Sequence, residues 1–123
     1  MPNRHDQPAA TVLVCGSRGW DSYSSIRDYL AAFVDRGCVS IIHGAANGAD
    51  AFAGTACVEL GLTCYAFPPD YEAFGKDAPH VRNDEMLKHA DRVAAFWDGE
   101  SRGTKSVIEK ARKLGLEVEV IRG

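Results

Sequence analysis

Apolar positions fall into five short runs along the chain: 11–15 (TVLVC), 39–43 (VSIIH), 63–67 (TCYAF), 92–97 (RVAAFW) and 117–121 (EVEVI). They are rich in Val, Ile and aromatic residues and too short for core helices, so they predict strands. The first four are apolar on both faces, as buried parallel strands should be, whereas the last alternates and fits a sheet edge. Helical spacing fills the intervals. In 21–37, Ile26, Tyr29, Leu30, Phe33 and Val34 recur at that spacing, with Asp21 or Ser22 to cap the start and Gly37 to end it. The small-residue segment 49–61 (ADAFAGTACVELG) stops at Gly61 by the same device. A third helix is predicted over 80–90, just after Pro79. A fourth is predicted over 104–115, with Val107, Ile108, Ala111 and Leu114 on one face and Thr104 as its cap.

Strand alternates with helix throughout, which predicts an α/β protein with a doubly wound, parallel five-stranded sheet. Right-handed crossovers give a Rossmann-like strand order, 3-2-1-4-5. There is no repeat, low-complexity tract or second domain, so residues 11–123 form one domain behind a polar tail, 1–10. Hydrophobic residues at 46% and charged residues at 25% suit a globular protein of this size. The balance of 14 basic against 17 acidic residues argues against a general nucleic-acid binder. Cys15, Cys38, Cys57 and Cys64 form no CxxC pair and no zinc-like spacing with histidine, so buried free thiols in a reducing cytoplasm are expected, and no metal site. The N-terminal residues lack the apolar stretch of a signal peptide, and no segment suits a membrane span.

Chemistry is concentrated where strands give way to helices. Strand one ends in GSRGW (16–20), strand two in HGAANGAD (43–50) and strand four in DGESRGT (98–104). Each opens toward a helix N-terminus, where free N–H groups and the helix dipole favour an anion, and glycine lets the backbone approach a phosphate. A tight turn needs glycine as well. Arg18 and Arg102 lie in these loops, and Arg82 opens the third helix. Each is either a solvated arginine paired with Asp21, Asp84 or Glu100, or a counter-charge for a bound anion. The first loop lacks the GxGxxG of dinucleotide folds, and SRGTKS is not a P-loop because Thr104 separates the glycine from Lys105. No dehydrogenase, NTPase or cofactor site is therefore expected. Trp97 suits packing, while Trp20 suits either packing or stacking on a base. His43 fits a backbone-tethered turn, and Asp50 either caps its helix or meets a ribose hydroxyl. The long connection 68–80 (PPDYEAFGKDAPH) has the length of a lid.

Taken together, GSRGW, HGAANGAD, the Arg82-Asn83 pair and AFWDGESRGT resemble the YspA-like branch of the SLOG superfamily over residues 11–121. The resemblance implies a Rossmann-like fold, a nucleotide or ADP-ribose-like ligand, and a homodimer. It implies a ligand site built from Gly16, Ser17 and Arg18, from His43, Gly44, Gly48 and Asp50, from Arg82 and Asn83, and from Ser101, Arg102, Gly103 and Thr104. The related Lonely Guy phosphoribohydrolases carry PGGxGTxxE, whose GT matches Gly103-Thr104 and whose glutamate falls on Val107. A carboxylate for N-glycosidic cleavage would then have to come from elsewhere, with Asp98 and Glu100 as candidates. The first expectation is a sensor or carrier of a phosphorylated nucleoside derivative. The alternative is an enzyme that cleaves an N-glycosidic bond. Nucleic-acid binding, known among SLOG relatives, fits the acidic balance poorly.

Overall fold

The computed structural model describes residues 10–37 and 39–122. All but the last residue of the expected tail, and Cys38, lie outside them. Strand β1 (Ala10–Gly16) occupies the middle of a wholly parallel sheet, paired on one side with β2 (Val39–His43) and on the other with β4 (Arg92–Trp97). Strands β3 (Thr63–Ala66) and β5 (Glu117–Arg122) complete the order β3-β2-β1-β4-β5. Because successive side chains alternate between faces, β1 feeds two cores. Val12 and Val14 join Ile26, Leu30, Ile41, Ala94 and Phe96 under α1 (Tyr23–Ala31) and α2 (Ala49–Leu60). Leu13 and Cys15 join Ile42, Met86, Leu87, Val93 and Ala95 under α4 (Ala78–His89) and α5 (Arg102–Lys113).

The helices depart from their predicted bounds in informative ways. Ser22 caps α1 by accepting from the Ser25 N–H, but the helix ends at Ala31, and tighter turns carry the chain on toward Gly37. Those turns still bring Phe33 into the core. Helix α2 ends at Gly61, which takes the left-handed conformation expected of it. Its alanines explain the small-residue segment: Ala49, Ala53 and Ala56 are fully buried against the sheet and α1, so larger residues would hold the layers apart. The connection 68–80 is more structured than a loop. Asp70 caps a short helix, α3 (Tyr71–Phe74), which a 3-10 turn (Gly75–Asp77) joins to α4. Helix α4 therefore begins one residue before Pro79, and Arg82 stands in its second turn instead of at its opening. In α5 the cap is Ser101, and Thr104 is a buried residue of the first turn. Leu114 lies past the end of α5 and is 63% exposed, not part of the buried face.

One strand reading is corrected. The third apolar run is not buried on both faces: β3 is an edge strand, and Tyr65 is 57% exposed. Among the described residues, no helix is long and apolar enough to cross a membrane.

Candidate functional site

The loops after β1 and β4 leave the sheet where its winding reverses, and there the loop after β1 is clamped from three sides. Ser17, 1% exposed, donates its N–H to the Phe96 carbonyl at 3.0 Å, while its hydroxyl oxygen accepts from the Asp98 N–H at 3.0 Å. Its carbonyl accepts from Trp20 and from Ala49, the first residue of α2. Gly48 takes φ +74°, and a Cβ there would overlap the carbonyl oxygens of Ser17 and Arg18. Gly16 is held as closely against Ala49 and Phe96. These contacts fix the loops after β1, β2 and β4 against one another at backbone distance.

Beside them opens a cavity of about 330 Å³, within the usual range for a small-ligand site. Gly16, Arg18 and Asp50 line one side, Arg82 and Asn83 another, and Ser101, Arg102, Gly103 and Thr104 at the N-terminus of α5 a third. A second hollow of about 370 Å³ adjoins it across Arg18, Ala46 and Arg82, walled also by Gly44, Pro69 and Tyr71. The three arginines named from sequence do converge. Arg18 and Arg102 are exposed and form no ion pair among the described residues. Arg82 is more constrained. Its Nη1 donates to the carbonyls of Gly44 and Phe67, and its Nε donates to Asn83 Oδ1 at 2.7 Å. Arg82 thus bridges the ends of β2 and β3 as well as facing the cavity.

Asp50 is the carboxylate of the crevice. It does not cap α2, whose cap is Gly48. Its Oδ2 instead accepts from the N–H groups of Gly44 at 3.1 Å and Ala46 at 3.2 Å, holding the loop after β2 in place. Burial raises its pKa, opposed by those N–H groups and by the positive charge of Arg82.

Other sequence candidates stand apart from the cavity. His43 is buried on the α2 face, where its Nδ1 accepts from the Ala45 N–H at 3.0 Å. Gly48 and Ser17 shape the loops without lining either hollow. Asp98 caps the turn before α5: its Oδ1 accepts from the N–H groups of Glu100 and Ser101, each at 2.8 Å, and these bonds depress its pKa, that from Ser101 most. Neither Asp98 nor Glu100 lines the cavity. Trp20 is core, edge-on to Phe96 at 5.6 Å, with its indole N–H donated to Ser22 and Ser25. Trp97 donates to the Ser101 carbonyl and carries the Arg122 guanidinium over its ring. Among the lining residues that sequence reasoning missed are Cys15, Ala46, Pro79, His80, Met86 and Tyr71. His80 precedes Arg82 by two positions, a signal that was present but unremarkable, and Tyr71 lay in the segment expected to be a lid.

A parallel sheet with clefted loops at its carboxyl ends defines a Rossmann-like α/β protein. The sequence model of the YspA, cpYpsA-related SLOG family (YAcAr) matches residues 10–74, slightly more than half of the chain, and the chain belongs to this family. DNA processing protein A (DprA) from Streptococcus pneumoniae is similar in structure, with a TM-score of 0.80 at 19% identity over 94% of this chain and 51% of that one. TM1055, a structural-genomics target, matches with a TM-score of 0.68 at 24% identity over 89% of this chain and 72% of that one. At such identities the likeness shows the shared fold alone, and the chain spans about half the length of the DprA structure. No curated protein matches the chain.

Proposed function

We propose that the protein binds a nucleotide or nucleotide-derived, ADP-ribose-like phosphorylated ligand in this crevice, as a cytoplasmic sensor or carrier. The observation that carries this reading is the convergence of Arg18, Arg82 and Arg102 on one cavity at the N-terminus of α5. Free N–H groups and guanidinium forks together suit a phosphate better than any neutral group. The phosphate would rest on residues 101–104 between Arg18 and Arg102, with the nucleoside extending toward the hollow beside Tyr71. Calorimetric titration with a panel of nucleoside phosphates and ADP-ribose tests it. One of them should bind, and Arg102→Ala should cost about 1.5–3 kcal/mol of that affinity, the range of a charge-assisted hydrogen bond. Apo stability should change by less than about 0.5 kcal/mol, as for other exposed sites. Absence of binding across the panel, or an unaffected Arg102→Ala, rejects the reading.

Cleavage of an N-glycosidic bond is the second reading, and Asp50 is what favours it. Such a reaction needs a carboxylate near a cation-like sugar. Asp98 stands off the cavity, whereas Asp50 lines it, and both main-chain donors to Asp50 use the same oxygen, leaving Oδ1 without a donor among the described residues. Val107 forms part of the cavity wall and supplies no acid. Release of free base from a bound nucleotide, abolished in Asp50→Asn, would move the protein to this class. The name DNA processing protein raises a DNA ligand for the fold, but the net charge of −3 weighs against it here. We also propose a homodimer. A hollow of about 590 Å³ between α4 and α5, with Leu87, Ala90, Leu114 and Leu116 as its apolar floor and Asp84, Lys88, Lys110 and Lys113 around them, supports one, and sedimentation equilibrium checks it.

A further inference from the structure

Away from the crevice, three side chains of distinctive chemistry meet under α2 at the β3 edge. In the parallel register Cys64 lies beside Ile41 and Ala66 beside His43. Ile41, His43 and Cys64 therefore face the same side of the sheet, the side that α2 covers. On α2, Gly54 leaves room for the imidazole: a Cβ at that position would lie 3.3 Å from His43 Nε2. Cys57 follows Gly54 by about one helical turn. The chain folds back tightly after α2, with the Leu62 N–H donated to the Cys57 carbonyl at 3.0 Å, and this returns Cys64 beneath the helix. Cys64 packs against the buried cluster that holds Cys57, and the register sets His43 on the same face of the neighbouring strand.

The partners divide their roles. Because His43 Nδ1 accepts from the Ala45 N–H, the neutral ring carries its proton on Nε2 and can donate it to sulfur. Neighbouring Cys57, and then His43, pull the Cys64 pKa down against its burial, while Cys64 and burial push Cys57 up. Access divides them too. Cys57 is 1% exposed, whereas Cys64 is half-buried on an edge strand between exposed Thr63 and Tyr65. Thiolate character with access marks a reactive cysteine, and a second thiol packed in the adjoining cluster supplies the resolving partner.

The geometry points to Cys64 and Cys57 as a hydroperoxide-reactive pair, in which Cys64 is oxidised first and Cys57 closes a disulfide. The Cys64 thiolate attacks the hydroxyl oxygen of a hydroperoxide, the O–O bond breaks, and the other oxygen leaves as an alkoxide, which takes from solvent the proton that the Cys64 thiol had given up and becomes an alcohol, or water from hydrogen peroxide. Cys64 is then a sulfenic acid. Cys57 sulfur attacks it, the S–O bond breaks, and the hydroxide leaves as water with the Cys57 proton. Two thiols have given two electrons to the peroxide, and one S–S bond has formed.

The test starts from the reduced full-length chain, exposed to stoichiometric hydrogen peroxide, alkylated and mapped by mass spectrometry. The expected product is an intrachain Cys57–Cys64 disulfide, with Cys15 still a free thiol. Cys57→Ser should stop at a Cys64 sulfenic acid that dimedone labels, and Cys64→Ser should form no disulfide at Cys57. The mapping on the parent chain stands alone should either variant fold poorly. Both thiols recovered free, or a bridge from either one to Cys15, to Cys38 or to a second chain, overturns the proposal.

Discussion

Gly48 decides how near the loops after β1 and β2 can come. In the sequence, the glycines of HGAANGAD suggested bare backbone offered to a ligand. In the structure, Gly48 offers it to the carbonyls of Ser17 and Arg18, and only Gly44, against the Arg82 guanidinium, touches either hollow. Gly48→Val should therefore lose stability first. Its backbone conformation alone costs about 1–3 kcal/mol for a side-chain-bearing residue, and overlap with Ser17 adds to that. Urea denaturation measures the loss, and a Gly48→Val protein as stable as the parent would contradict the close approach. Asp98 gives a residue-scale expectation in pH. Its pKa is depressed by the N–H groups of Ser101 and Glu100, so its contribution is complete above the ordinary value of 3.8 and disappears as pH falls from there through the depressed value. Asp98→Ala should be less stable than the parent at neutral pH, and the two melting temperatures should converge in acid below that value.

At the scale of elements, α4 and α5 bring different kinds of arginine to the crevice. Arg82, in the second turn of α4, lies beyond the first turn, where the helix dipole acts most strongly. Its placement is explained by the carbonyls of Gly44 and Phe67, which it draws together across the ends of β2 and β3. Arg82→Ala should lower apo stability by about 1–3 kcal/mol, because those carbonyls lose a charged donor, and should weaken ligand binding as well. Arg82→Lys should recover part of the stability and less of the affinity, since an ammonium lacks the planar fork. Equilibrium unfolding alongside calorimetry separates the two losses, and an unchanged apo stability in Arg82→Ala would remove its bridging role. None of this bridging was legible from sequence, because a hydrogen bond to a carbonyl 38 positions away leaves no local pattern. What could be seen was the coincidence of arginines with glycine-rich loops, and that coincidence located the cavity. Asp98 and Glu100 were chosen by proximity in sequence, which says nothing of where a carboxylate points.

For the whole molecule, the alternation of apolar strands with helical spacing was enough to give the sheet and its order, because runs such as VLV and VAAF have no other stable burial. TCYAF carried the same apolar signature yet lies at an edge, where Tyr65 is left to solvent; composition cannot tell an outer strand from an inner one when the strand is only four residues long. Helix ends were harder still, since the cap at Ser101 is held by the Trp97 indole and the Asp98 carboxylate, and the turns after Ala31 bury Phe33 in the core. The central position of β1 has a consequence for how the protein comes into being. Its pairing with β4 joins residues about 80 apart, as in the Thr11 N–H donated to Asp91 and the Asp98 N–H donated to Ser17. Closing so long a loop is entropically expensive and slows folding. During synthesis, β1 therefore waits with one edge unpaired until β4 has been made, and a nascent chain ending at residue 90 should hold no nucleotide. In refolding, recovery of binding should follow the same rate constant as recovery of the native tryptophan fluorescence, since the cavity wall and the pairing of β4 with β1 arrive together.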